Sequence, residues 1–323
     1  MVEDVHPLRL PEMGVGCWAW GDRATWGVGG YDTATTEATI AEAFEASLDA
    51  GVTLFDTAEV YGDGESERIL GRLIAANPGV RDRLVVATQF LPLPQKLDVV
   101  RATREALEAS LGRLGLDRVD LYQLHGPIHL SRPGSRADAL AAVVEAGLAG
   151  AVGVSNYSAG ETRAIHRELA ARGVALATNQ IECSLLRSRP ITQGLLGTCR
   201  SLGVTPLAYS PLGQGRLTGK YTVADPPPGR RRFSAHPMAS VEKAVSVLRE
   251  VGDAHDRTPG QTALRWLIHH GLVPIPGAKN AKQAAQNAGA LGWELGAAEL
   301  RTLDEAALLG KETPLNRLFW QHG

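Results

Sequence analysis

A TIM-type (β/α)8 barrel with long loops at its C-terminal face is the fold class this sequence predicts, with an open doubly wound sheet as the competing closure. Three observations predict it. Eight β-rich runs alternate with amphipathic runs, the pattern that builds an all-parallel sheet. The runs recur roughly every 30 residues, the size of one strand–helix–strand unit. The length of 323 residues suits one closed barrel, and no composition break divides it, so the chain reads as a single domain, 1–323.

Taken in order, the first β-rich run is residues 13–20, followed by an amphipathic run at 35–50. The second strand, 53–58, leads to a helix at 66–76, and the third, 84–90, to a helix at 97–114. In that helix Val100, Leu107, Leu111 and Leu114 fall seven, four and three apart, one face of a 3.6-residue period. Strands at 119–125, 151–155 and 177–183 alternate with helices at 136–149, 159–171 and 191–202. The last two strands, 205–210 and 273–277, are followed by helices at 241–270 and 280–291. Gly51, Gly115, Gly150, Gly173, Gly203 and Gly271 stand just before strands, where glycine supplies a left-handed helix end without a Cβ clash. Residues 222–237 carry Pro226-Pro227-Pro228 and Arg230-Arg231-Arg232. This stretch reads either as a solvated surface loop or as one that closes over a ligand.

Composition excludes several classes. Thirty-three Lys+Arg against 35 Asp+Glu leave a net charge of -2, without the basic excess a nucleic-acid or membrane-surface binder needs. No apolar run reaches the roughly 18–20 residues of a membrane span. Residues 1–11 lack the basic-then-apolar pattern of a secretion signal. Cys17, Cys183 and Cys199 are too few and scattered for a disulfide framework or zinc site, and read as free thiols in a reducing cytoplasm. Without an exposed heptad, a monomer is the default expectation.

Several motifs are absent. No GxGxxG follows a strand, and Gly213 to Lys220 has the wrong spacing for a phosphate loop, with Tyr221 where Ser or Thr is required. The nine histidines form no metal pattern, His269-His270 reads as a polar helix end, and no Gly-x-Ser-x-Gly elbow is present.

Chemistry in a β/α barrel sits at the C-terminal ends of its strands. Those ends read Trp18 and Trp20, Asp56, Gln89, His125, Ser155-Asn156, Gln180, Tyr209-Ser210 and Gly277 to Lys279. Taken singly, Asp56 reads as a helix cap and His125 as a satisfied core histidine. A ring of polar and aromatic groups at successive strand ends reads as a site.

These stretches carry a resemblance. Leu-Phe-Asp-Thr-Ala-Glu-Val-Tyr-Gly (54–62) with Glu-Ser-Glu-Arg after it, Asp-Leu-Tyr-Gln-Leu-His (120–125), Gly-Val-Ser-Asn-Tyr (153–157), Thr-Asn-Gln (178–180), Tyr-Ser-Pro-Leu-Gly (209–213) and Ile-Pro-Gly-Ala-Lys-Asn (275–280) occur in that order. Together they resemble the aldo-keto reductases across nearly the whole chain, closest to the bacterial and plant-plastid branch. The resemblance implies a β/α barrel that binds NADPH without a Rossmann motif and transfers its hydride to a carbonyl carbon of a small-molecule substrate. It implies Asp56, Tyr61 and His125 as catalytic residues, with Tyr61 the general acid and His125 orienting the substrate oxygen.

One member of the family's catalytic set does not carry over. The family's third strand ends in Ala-Thr-Lys-Phe; here it reads Ala87-Thr88-Gln89-Phe90. Lys96 lies seven residues later, beyond Pro92 and Pro94. A lysine beside the tyrosine hydroxyl lowers its pKa and pairs with the aspartate; Gln89 has similar length but no charge. Tyr61 is therefore expected to be a weaker proton donor, and Asp56 to lose its counter-ion. Carbonyl reduction, impaired or not, is the first expectation. Reduction of an imine, iminium or C=C bond, which asks less of a proton donor, is the second. An NADPH-binding sensor or subunit with little turnover is the third.

The same resemblance implies the cofactor site. Ser155, Asn156 and Gln180 match the residues that hold the nicotinamide amide, and Tyr209 would stack on its ring. Ser210, Leu212, Gly213 and Gly215 would wrap the pyrophosphate, with charge from Arg216 and Lys220. Gly277 and Lys279 open the last barrel helix, where Lys279 favours a 2′-phosphate, and Gln283 and Asn287 would reach the adenine end. Trp18, Trp20 and Tyr31, on or just after the first strand, are expected to line the substrate pocket.

Overall fold

The computed structural model describes residues 8–21, 35–93, 98–128, 130–227 and 236–310. Eight parallel strands pair in sequence order: β1 (Gly14–Gly16), β2 (Leu54–Asp56), β3 (Val85–Phe90), β4 (Val119–Leu124), β5 (Ala149–Ser155), β6 (Leu176–Glu182), β7 (Thr205–Tyr209) and β8 (Val273–Pro274). Across the seam, Gly16 N donates to Pro276 O at 3.1 Å, which brings the first and last strands together. The closed barrel is therefore the outcome of the two closures, and sequential parallel order is what helix-connected strands require.

Twelve α-helices lie among the described residues. They are α1 (Trp18–Gly21), α2 (Glu37–Asp49), α3 (Glu65–Ala76), α4 (Val99–Leu114), α5 (Pro133–Glu145), α6 (Ala159–Ala170), α7 (Arg189–Thr192), α8 (Leu195–Leu202), α9 (Met238–Asp253), α10 (Pro259–His269), α11 (Ala281–Ala288) and α12 (Ala297–Ala306). Side chains set their starts. Thr36 Oγ1 accepts from Thr39 N, Asp98 Oδ1 from Arg101 N, and Ser158 and Glu161 cap each other.

The structure corrects several boundaries. The first β-rich run is a strand only over Gly14–Gly16, and Trp18 and Trp20 lie on α1. The run at 191–202 is two helices divided by Gly194, whose φ is 85°. The run at 241–270 is also two, because Thr258 caps a new helix that has Pro259 in its first turn. Gly150 lies inside β5; the left-handed turn before that strand is Gly147, at φ 71°. On α4 the buried residue is Val99, while Val100 is 36% exposed.

Two apolar cores result. A small one fills the barrel with Leu54, Ala87, Leu121, Leu207, Val273 and Ile275. A large one lies between strands and helices and includes Phe44, Phe55, Leu107 and Tyr122. Leu107 of α4 is fully buried, so Leu107→Ala is expected to cost about 2–5 kcal/mol, through lost transfer energy plus a cavity. Urea unfolding would read this as a lower midpoint with an unchanged slope.

The alternation of a strand then places the site. Leu54 and Asp56, Ala87 and Gln89, Leu121 and Gln123, and Thr178 and Gln180 are each two residues apart, so each pair shares a face. In the first three pairs the apolar member packs inside the barrel, in the fourth Thr178 braces Gln123 there, and in all four the second member follows toward the C-terminal mouth. The register sets Gln89 opposite Gln123, and Gln123 opposite Gly153.

Candidate active site

Asp56 ends β2 and is 1% exposed. Three glutamines from three strands hold its carboxylate. Gln89 Nε2 donates to Oδ2 at 2.9 Å and to Oδ1 at 3.2 Å; Gln180 Nε2 donates to Oδ1 at 2.9 Å and Gln123 Nε2 to Oδ1 at 3.2 Å. The cage is braced within itself, since Gln89 Nε2 also reaches Gln180 Oε1 at 3.2 Å and Thr178 Oγ1 donates to Gln123 Oε1 at 2.9 Å. Gly153 makes room for this brace: a Cβ there would run into Thr178 Oγ1 and stand 3.1 Å from Gln123 Cγ.

Among the described residues, the side-chain donors to Asp56 are all neutral amides. Among the described residues no lysine or arginine pairs with it. Burial pushes its carboxyl up from 3.8 to about 7, and the three amide hydrogen bonds only partly oppose that shift. The expected loss of a counter-ion is thus met by a raised carboxyl pKa. Gln89 Oε1 is buried and has no hydrogen-bond partner among the described residues.

Tyr61 and His125 stand together at this mouth. Their ring centroids are 5.8 Å apart with planes at 83°, an edge-to-face pair. Tyr61 sits on the turn between β2 and α3. The next residue, Gly62, has φ 60°, and a Cβ there would run into the carbonyl of Gly21. A left-handed glycine is what lets this turn lie against α1. Burial, then the charge of Asp56, pushes the Tyr61 hydroxyl well above its usual range. His125 follows β4, with its backbone N–H donating to Phe90 O at 2.8 Å, and burial lowers its imidazole to about 4. At neutral pH His125 is an uncharged hydrogen-bonding group.

These opposite shifts set a testable stability profile. Asp56, raised from 3.8 to about 7, contributes stability that is full below the unfolded value and lost as pH rises through about 7. His125, lowered from 6.5 to about 4, contributes stability present above the unfolded value and lost as pH falls through about 4. Between those limits the two slopes oppose each other. Asp56→Asn is therefore expected to gain stability as pH rises from about 4 to 6.5, and His125→Gln to lose it over the same range, in urea midpoints measured against pH.

The wall beside Asp56 comes from β5, β6 and β7. Asn156 N donates to Gln180 O at 2.8 Å, and the Tyr209 hydroxyl donates to Asn156 Oδ1 at 2.9 Å. Asn156 Nδ2 reaches Ser155 Oγ at 3.1 Å and His125 O at 3.3 Å. Asn156 takes φ 62°, a left-handed conformation asparagine tolerates. Both ends of the Gln180 amide are engaged within the cage, so Gln180 joins this wall to Asp56.

After β7 the backbone is left-handed at Ser210, Gly213, Gln214, Gly215 and Gly219. A Cβ on Gly215 would lie 3.1 Å from Lys220 Nζ, so the ammonium rests close over bare backbone. Leu212 packs at the edge of the large core, and the buried Arg216 donates to Gly213 O at 3.2 Å. At α11, Gln283 Oε1 accepts from Lys279 N at 3.0 Å, Asn280 Oδ1 from Gln283 N at 2.9 Å, and Gly277 O from Asn287 Nδ2 at 3.2 Å. Gln283 and Asn287 thus bond to the backbone around their own helix start, with Lys279 half-buried beside them.

The profile of the aldo/keto reductase family matches residues 12–308. The chain belongs to the aldo/keto reductase family. It is 38% identical to a chloroplastic pyridoxal reductase of Arabidopsis thaliana, over 95% of this chain and 85% of that protein. It is 37% identical to a 6-dehydroglucose reductase of Novosphingobium aromaticivorans, over 79% of this chain and 81% of that one. An aldo/keto reductase from Klebsiella pneumoniae, solved with NADP and acetate, superimposes with a TM-score of 0.70 at 30% identity, covering 92% of each chain. The protein is an oxidoreductase of this family.

Two observations fit a phosphate-bearing dinucleotide of the kind that the Klebsiella aldo/keto reductase holds. The left-handed run after β7 folds into tight turns, with Gly213 N donating to Ser210 O and Gly215 N to Leu212 O, and it holds the Lys220 ammonium close over the bare backbone of Gly215, a cation placed for a phosphate. Within it Gln214 Oε1 is buried with no partner among the described residues.

The structure brings Asp56, Gln89, Tyr61, His125, Asn156 and Gln180 together. Trp20 turns the other way. It is 4% exposed, its ring lies 6.0 Å from Phe55, and its Nε1 donates to Ala278 O at 2.7 Å. It fastens α1 to the segment after β8 instead of lining an open pocket. Trp18 is half-buried. Tyr31 and Lys96 lie outside the described residues, as do residues 228–235 of the Pro-rich and Arg-rich loop. Gln123 was not among the expected site residues, although its position two before His125 puts it on the same strand face.

Among the described residues no group of His, Cys, Asp and Glu could hold a metal ion, and no helix is long and apolar enough to cross a membrane. The three cysteines are buried and free.

Proposed function

We propose that the protein reduces the carbonyl group of a small organic substrate, with NADPH as its cofactor. The observation that carries this reading is the edge-to-face Tyr61–His125 pair standing at the same barrel mouth as the amide-caged Asp56. NADPH supplies the hydride. Tyr61 donates a proton from its hydroxyl to the carbonyl oxygen, and the neutral His125 steadies that oxygen with a ring N–H. Ser155, Asn156 and Tyr209 form the wall that receives the nicotinamide. Residues 210–220 and Lys279 hold the phosphates, the latter favouring the 2′-phosphate. Trp18 borders the substrate. The relatives' names point to aldehydes and sugar carbonyls as the first compounds to try. A cytoplasmic location fits the buried, free cysteines, and the protein acts as a single-domain monomer on this reading.

A second reading is reduction of a C=N bond. It is favoured by one observation, the buried Asp56 whose partners among the described residues are all neutral. An iminium brings a positive charge to that carboxylate and needs no proton on oxygen. The test of both is NADPH consumption with a panel of aldehydes, ketones and cyclic imines. Turnover of aldehydes supports the first reading, and turnover of imines alone supports the second. Inertness toward the whole panel with NADPH still bound would leave a cofactor-binding protein without reductase turnover.

A further inference from the structure

Asp56 is the charged centre of this mouth, and the described side chains around it are neutral. From β3, β4 and β6 it meets the amides of Gln89, Gln123 and Gln180. From the turn after β1 comes the Cys17 thiol, whose backbone N–H donates to Asp56 O at 2.8 Å; burial, then the charge of Asp56, pushes this thiol well up. From the turn after β2 comes Tyr61, also pushed up, and after β4 comes His125, pushed down to about 4. None of these groups carries charge near neutral pH, whereas Asp56 titrates at about 7. Above that pH the pocket holds one negative charge that no described side chain balances.

The nicotinamide ring differs in charge between its two redox forms. It is neutral in NADPH and a pyridinium cation in NADP+, while the phosphates are the same in both. The wall assigned to that ring, Ser155, Asn156 and Tyr209, connects to Asp56 through Gln180, which accepts from Asn156 N and donates to Asp56 Oδ1. On the reading that the nicotinamide sits at this mouth, we infer that the caged Asp56 carboxylate makes the protein discriminate between cofactor redox states, binding NADP+ more tightly than NADPH. In family members with lysine at the Gln89 position, the ammonium would cancel that bias. The preference would favour hydride donation within the bound complex. It would also make the protein sensitive to the NADP+ level, because the spent cofactor competes with the fresh one.

The test is equilibrium binding of NADPH and of NADP+ to the full chain, by fluorescence titration or calorimetry, without substrate. At about pH 8.5, wild type is expected to bind NADP+ on the order of ten-fold more tightly, the scale of two unit charges roughly 12 Å apart at an effective dielectric near 20. The ratio is expected to shrink toward one at about pH 6, where Asp56 takes up a proton, and the phosphate titrations cancel between the two forms. Asp56→Asn should abolish the preference at both pH values, and Gln89→Lys should abolish or reverse it. The wild-type pH series stands even if a variant folds poorly. Equal affinities for the two forms in wild type at about pH 8.5, or a preference that survives Asp56→Asn, would overturn the proposal. Failure of both forms to bind would instead bring down the NADPH reading on which it rests.

Discussion

Tyr61→Phe is expected to lower kcat for aldehyde reduction by about 10²–10⁴-fold, the usual worth of a positioned general acid. The substitution removes one hydroxyl and keeps the ring that stacks edge-to-face with His125 at 5.8 Å, so NADPH affinity and the unfolding midpoint should change little. The same variant separates the two chemistries. Hydride addition to an iminium carbon needs no proton on oxygen, so imine turnover should persist within a few-fold. Steady-state kinetics with a matched aldehyde and cyclic imine would show it. Full aldehyde activity in Tyr61→Phe would remove Tyr61 from the mechanism.

Gln89→Lys carries the second large effect. An ammonium at this position would replace the amide that now spans both oxygens of Asp56, at 2.9 and 3.2 Å. Asp56 would then ionise well below 7, with a partner for its charge. Tyr61 would lie beside a cation, which lowers a phenol pKa by about 1–3 units. Both changes ease proton donation, so kcat on aldehydes is expected to rise about ten-fold or more. Imine turnover should fall, because a second positive charge now repels the iminium. The pH profile is the finer readout: a limb near 7 from Asp56 should leave the wild-type curve in the variant. Equal aldehyde rates and equal profiles in the two proteins would show that Gln89 does not limit the chemistry.

The strands were the most legible part of this chain. Their order and seven of their eight positions follow from short β-rich runs between amphipathic ones. The run at 13–20 overruns the first strand because Cys17-Trp18-Ala19-Trp20 is apolar enough to pass for strand, whereas its second half is a helical turn that Trp20 Nε1 fastens to Ala278 O across the barrel seam. Helix breaks inside 191–202 and 241–270 were hidden because apolar spacing continues across them; Gly194 and Pro259 were the local signals. In the site, Asp56, Tyr61, Gln89 and His125 were legible from motif order. Gln123 was not, since a mid-strand glutamine looks like a filler until the β3–β4 register sets it opposite Gln89. The role of Gln180 as a brace was equally hidden, because it depends on the Gln89 amide reaching it across the barrel.

Sequence could say that a positive charge is missing at position 89, but not what replaces it. The answer, three neutral amides on one buried carboxylate, is a matter of side-chain geometry. It decides whether Asp56 ionises outright, as a lysine-paired carboxylate does, or titrates in the physiological range.

The most direct test is therefore the titration of Asp56 itself. Carbon-13 NMR of the aspartate carboxyls, with Asp56→Asn to assign the resonance, would follow it across neutral pH. An apparent pKa near 7 in wild type, falling to the usual carboxylate range in Gln89→Lys, is the expected result. A wild-type value already in the usual range would mean that some cation reaches Asp56, and would contradict the account.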